Sequence, residues 1–194
     1  RSFYDNAPIG IFTSSPAGNY LKVNPFLAHM YDHPNPEEML RHIKDIERQT
    51  YVDPDDRRRM LEQVAASGAL TGYELRRRTR SGRIIWVSLY VRAVRDAAGA
   101  TTRLEGFCTD ITTRKKAEEA LADQERTLRV IFDNSPLGLV AFAPDGTMLK
   151  CNPRFQEIVG ATAAELTGTN VLADMPEFAR TALVTALAGQ PAPA

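Results

Sequence analysis

The chain has 194 residues, 43% of them hydrophobic, and its 24 Lys and Arg balance 24 Asp and Glu to a net charge of zero. That composition describes one or two ordinary globular domains, and its charge gives no basis for binding nucleic acid or anionic lipid. No apolar run approaches the ~20 residues that cross a bilayer, no signal peptide is evident, and the first residue is Arg; a cytoplasmic fragment of a longer protein is expected.

The first β-rich runs, 9–14 (IGIFTS) and 20–23 (YLKV), are joined by the turn Pro16-Ala17-Gly18-Asn19. Asn24-Pro25, Asn35-Pro36 and Asp53-Pro54 each pair an N-cap residue with a proline that needs no amide partner, so each predicts a helix start. The third of these helices should carry Met60, Leu61, Val64 and Ala65 on one face and end near Gly68. Period 2 then replaces period 3.6. Tyr73, Leu75, Arg77 and Thr79 alternate with charged residues, and Ser81-Gly82 turns the chain. In 83–95, Val87, Leu89, Val91 and Ala93 share a face opposite Trp86, Ser88, Tyr90 and Arg92. A turn at 96–100 precedes a last strand at 102–109. The fold class expected is α+β, an antiparallel sheet covered by helices on one face.

From Thr112 to about Asp133 there is no Gly or Pro, which predicts a helix of roughly 30 Å. Ala117, Leu121, Gln124, Leu128 and Ile131 follow the alternating spacing of a coiled-coil seam. Ala117, Leu121, Leu128 and Ile131 are the expected contacts of a parallel homodimer; packing of that stripe onto its own domain is the alternative.

Beyond this helix the chain repeats itself. At an offset of 128, ten of the 21 positions from 5 to 25 are identical, from "DNAPIG" on "DNSPLG" to Asn24-Pro25 on Asn152-Pro153. A repeat this long marks two copies of one domain. The expected division is a first domain at 1–111, a linking helix at 112–131, and the N-terminal part of a second domain at 132–194, without its last three strands.

The element order, with "FYDNAPIGI", "LKVNPF", "SGRIIWVS" and "GFCTDITTRKKAEEAL", resembles the PAS family of sensory domains. Asp110, Ile111 and Thr112 resemble its closing signalling motif. The resemblance implies a five-stranded sheet in the order 2-1-5-4-3, a cavity between sheet and helices, and a place in bacterial signalling ahead of an output domain such as a histidine kinase or diguanylate cyclase.

Enzyme chemistry lacks its constellation: no Gly-rich loop is followed by Lys-Ser/Thr, and His29, His33 and His42 pair with no second ligand at a metal-binding spacing. Cys108 and Cys151 offer neither metal spacing nor a disulfide framework. Flavin-binding relatives carry Asn-Cys-Arg-Phe-Leu-Gln on a helix. Here "KCNPRFQ" inverts the first pair, and the repeat maps Cys151 onto Val23 in a strand. Haem-binding relatives carry a histidine on the long helix, but 54–67 has none. Flavin and haem are therefore not expected, and the cofactor, if any, is unknown.

The cavity-facing set combines strand parity with the resemblance: Phe12 and Ser14, Tyr73, Leu75 and Arg77, Val87, Leu89 and Val91, Gly106 and Cys108. An inward Arg77 calls for an anionic partner, or else lies at the sheet edge with its head in water. The run Arg76-Arg77-Arg78 with Arg80 and Arg83 is split between two strand faces, so a solvated surface is expected there and no nucleic-acid patch. The function expected is a sensory and relay module that binds a small ligand or partner; the alternative is a dimerisation module with a solid core.

Overall fold

The computed structural model describes residues 2–170. The chain falls into two compact units, residues 1–118 and 119–194.

The first unit begins with a short helix α1 (Ser2–Asn6), which the sequence pattern did not announce. The hairpin β1 (Gly10–Ser14) and β2 (Tyr20–Val23) follows, turning through Gly18 at φ 97°. Helices α2 (Pro25–Met30), α3 (Pro36–His42) and α5 (Pro54–Ser67) start where the Asn-Pro and Asp-Pro pairs stand, and Asn24, Asn35 and Asp53 cap them through Leu27, Glu38 and Asp55 amides. A further short helix, α4 (Ile46–Thr50), is capped by Asp45. Gly68, left-handed at φ 78°, ends α5.

Strands β3 (Ala69–Arg78), β4 (Ile84–Arg95) and β5 (Thr101–Asp110) complete an antiparallel sheet in the order β2-β1-β5-β4-β3. This is the α+β sheet the sequence led us to expect. Ile85, Val87, Leu89 and Val91 alternate inward and join Leu27, Met39, Met60 and Val64 in one buried cluster. Ser88 sits on the outward face yet is buried, because β4 is an interior strand on which Glu74 of β3 and Thr109 of β5 flank it. The buried face of α5 is Arg57, Met60 and Val64; Leu61 is half-buried and Ala65 exposed. The face is rotated from the purely apolar one because Arg57 is held inside, its Nη2 donating to Pro16 O at 3.2 Å and its Nε 3.5 Å from Glu47.

Helix α6 (Thr112–Asn134) buries no residue. The second unit then repeats the start of the first: β6 (Val140–Phe142) and β7 (Met148–Cys151), then α7 (Pro153–Val159) and α8 (Ala163–Leu166). The register repeats as well, Phe12 opposite Val23 and Val140 opposite Cys151. Asn24 accepts from the Ile11 and Leu27 amides and donates to the Tyr4 and Ile9 carbonyls. Asn152 makes the same four bonds to Leu139, Phe155, Phe132 and Leu137. The part of the second copy expected beyond residue 170 lies outside the described residues.

Candidate functional site

The sheet and helices of the first unit enclose a cavity lined by Phe12, Ser14, Arg77, Leu89 and Val91 from the expected set. It offers about 10 Å³ to the centre of a water molecule, room for roughly one water. Leu75, Val87 and Cys108 are buried in the surrounding core without lining it, and Tyr73 packs against that core partly exposed. Gly106 is a close-approach position: a Cβ there would lie 2.2 Å from Tyr90 O and 2.9 Å from the Phe12 ring.

Six further residues line the cavity: Tyr20, Ile46, Tyr51, Arg57, Met60 and Leu104. Leu104 shares strand parity with Gly106 and Cys108, and Met60 lies on the apolar face of α5, so both had a legible signal. Tyr20, Ile46, Tyr51 and Arg57 had none, because their burial depends on how α4 and α5 close over the sheet that β2 edges.

Arg77 is the unusual member. It is 3% exposed, and no carboxylate pairs with it among the described residues. Its Nη1 donates to Thr50 Oγ1, its guanidinium carbon lies 3.7 Å from the Tyr51 ring centroid, and its Nε has no partner. The Tyr51 hydroxyl is likewise buried without a partner. Burial raises the Tyr20 and Tyr31 phenols and pushes the Cys108 thiol up to about 12, so at neutral pH none of these neighbours supplies a counter-charge. A buried cation without one is costly.

The sheet meets α6 through specific bonds. Ile111 N donates to Trp86 O, Trp86 N donates to Thr112 Oγ1, and Thr112 N donates to Asp110 Oδ1, all at 2.8–2.9 Å. Glu74 on β3 pairs with both Arg114 and Lys115 at 2.6 Å. Lys115 Nζ also lies 5.4 Å from the Trp86 ring centroid. Further along α6 the seam residues face solvent, with Leu121 at 58%, Leu128 at 59% and Ile131 at 61% exposure, and Ala117 is exposed.

A sequence profile described as the PAS fold matches residues 22–108, and one described as a PAS domain matches residues 126–189. The chain belongs to the PAS family. This tandem PAS chain is 28% identical over 129 residues to the sensor protein FixL of Bradyrhizobium diazoefficiens, covering 65% of the chain and 26% of FixL. It is 27% identical over 122 residues to the biofilm dispersion protein BdlA of Pseudomonas aeruginosa, covering 62% and 27%. The virulence sensor protein BvgS of Bordetella pertussis is 37% identical over 75 residues, 36% of the chain and 6% of BvgS. The chain thus spans about a quarter of the first two relatives and less of the third. Among solved structures, a sensory box histidine kinase/response regulator from Burkholderia thailandensis superposes with a TM-score of 0.50 at 27% identity, covering 66% of this chain and 95% of that one. An RNA-binding light-oxygen-voltage receptor (TM-score 0.51, 20% identity, 64% and 36% coverage) shares the fold. With sensor proteins as its relatives, the PAS chain is a sensory signalling module. Among the described residues no helix is long and apolar enough to cross a membrane.

Proposed function

We propose that the chain is the sensing and relay part of a larger cytoplasmic signalling protein. A first PAS domain at 1–111 senses, the helix at 112–131 relays and pairs in a homodimer, and a second PAS domain at 132–194 leads toward an output domain. The observation that carries this reading is the double use of β3. Leu75 and Arg77 face the core from the strand whose Glu74 holds Arg114 and Lys115 of α6. A displacement of the cavity wall therefore pulls on the helix through two ion pairs, next to the Asp110-Ile111-Thr112 junction.

The ligand class that fits Arg77 is a small monovalent carboxylate. The guanidinium is charged, buried and lacks a counter-ion, and its Nε and the Tyr51 hydroxyl are two vacant donors at one cavity. Ser14, buried beside them, adds a neutral contact. The resting space holds one water, so even formate or acetate must move the wall, and a ligand shifts a two-state equilibrium only by its unequal affinity for the states. The cavity's small volume also favours a second reading, a dimerisation module whose core binds nothing.

Hydrogen exchange on wild type and Arg77→Met, with and without formate or acetate, separates the two. Sensing predicts that the carboxylate slows exchange in residues 69–95 and alters it at 112–118, and that Arg77→Met abolishes both effects. Without ligand Arg77→Met should fold at least as stably as wild type, since apolar replacement of a buried charge is often neutral or stabilising. A wild type indifferent to both carboxylates leaves the solid-core module.

A further inference from the structure

The basic stretch from Arg76 to Arg83 is only partly accounted for by the core. Elsewhere in the first unit several arginines face acids, Arg41 with Glu38, Arg58 with Asp55 and Glu62, Arg59 with Asp53 and Asp56, Arg92 with Glu105, and Arg95 donates to the Ala65 and Gly99 carbonyls. Arg83 pairs with Asp32, whose carboxyl is held down to about 2 by hydrogen bonds from Ser81 and Thr79 and by Arg83. Among the described residues no carboxylate pairs with Arg78 or Arg80. Both line a cleft of about 260 Å³ together with Arg48, His33 and His42, and no acid lines it.

These five side chains come from separate places. His33 follows α2, His42 ends α3, Arg48 belongs to α4, Arg78 ends β3, and Arg80 stands in the turn to β4. The Arg48 Nε is 3.6 Å from Asp45, on a side chain 88% exposed. The His33 and His42 rings lie 5.2 Å apart. His33 is 2% exposed, and its Nδ1 is buried with no partner. Burial, then His42 and Arg80, lowers the His33 pKa against the smaller opposing pull of the Asp32 and Glu38 carboxylates. In a chain with equal numbers of acids and bases, a cleft whose lining holds three arginines, two imidazoles and no acid marks a site for negative charge.

We propose that this cleft binds a phosphate-bearing small molecule. Three guanidiniums and two imidazoles exceed what one carboxylate can engage, whereas a phosphate accepts from several donors at once, and arginine suits its geometry. The volume agrees, since a phosphate group fits the cleft and not the core cavity of about 10 Å³. Thr50 lines the cleft and accepts from Arg77, so the two sites share a wall while their ligands differ.

Calorimetric titration of inorganic phosphate at constant ionic strength tests this on the 194-residue protein. Wild type should bind saturably, with the His33 and His42 ring resonances shifting in NMR spectra. Arg78→Ala/Arg80→Ala, at exposed positions, should bind about tenfold more weakly, and His42→Gln, also exposed, should weaken binding without the arginine changes. Arg77→Met should bind phosphate as wild type does, so failure of the carboxylate reading leaves this one standing. The double variant should keep any carboxylate response. Absence of saturable binding, equal affinity in wild type and double variant, or binding of an oligonucleotide where phosphate fails would each overturn the proposal.

Discussion

Asn24 shows how much one side chain can decide. Its amide joins the end of α1, the entry to β1 and the first turn of α2 through four hydrogen bonds while fully buried. A cap alone would need one of them. The other three explain why Asn recurs at 152, where aspartate or serine could also have capped. Lys22 over the Tyr4 ring and Lys150 over the Phe132 ring, at 4.3 and 4.5 Å, repeat with it. Asn24→Ala orphans two carbonyls and two amides and should cost about 3 kcal/mol in urea unfolding, at roughly 1 kcal/mol per net bond less partial access of water. Asn24→Asp keeps the acceptor but sets a second carboxylate oxygen against the Tyr4 and Ile9 carbonyls in a fully buried site, so it should cost at least as much. A loss within ~0.5 kcal/mol for Asn24→Ala would reduce the residue to its cap.

At the scale of elements, α6 carries two different surfaces. Its first turn is tied to the sheet by Thr112, Arg114 and Lys115. From Glu119 to Ile131 every residue is exposed. An isolated helix gains most of its stability from burying an apolar stripe, so the exposed Leu121, Leu128 and Ile131 need a cover, and a second copy of the same seam supplies one. Leu121→Asp combined with Leu128→Asp should convert a dimer into a monomer by multi-angle light scattering, without changing the unfolding of the first unit. If the oligomeric state is unaltered, the seam does not hold the dimer.

At the scale of the whole chain, the described residues of the two units bury their apolar side chains unequally. The first closes a five-stranded sheet over one core cluster. Among the described residues the second has a two-stranded sheet, with Val140, Phe142 and Phe155 half-buried and Leu137, Leu149 and Ile158 exposed. Two strands are marginal without further cover. In this 194-residue chain, amides of β6 and β7 should exchange faster than those of β4 and β5 and lose protection at lower denaturant. Equal protection in a monomer would show that the second unit finds its cover within one chain.

Much of this architecture was legible because it is local. Alternation assigned the inward face of β4 and gave Tyr73, Leu75 and Arg77 one parity, since successive side chains in a strand must point to opposite faces; that Arg77 is buried while Tyr73 stays partly exposed was not decided by it. The Asn-Pro and Asp-Pro pairs marked helix starts by cap chemistry, and the repeat at an offset of 128 marked the second copy. The residues that complete each site were not legible. Tyr51 reaches Arg77, Glu74 reaches α6, and His33, His42 and Arg78 meet at one cleft only because segments distant in sequence close on one another. Periodicity reports which way a side chain points from its own backbone; what it meets there, and how little space is left between them, is set by packing of elements far apart in the chain.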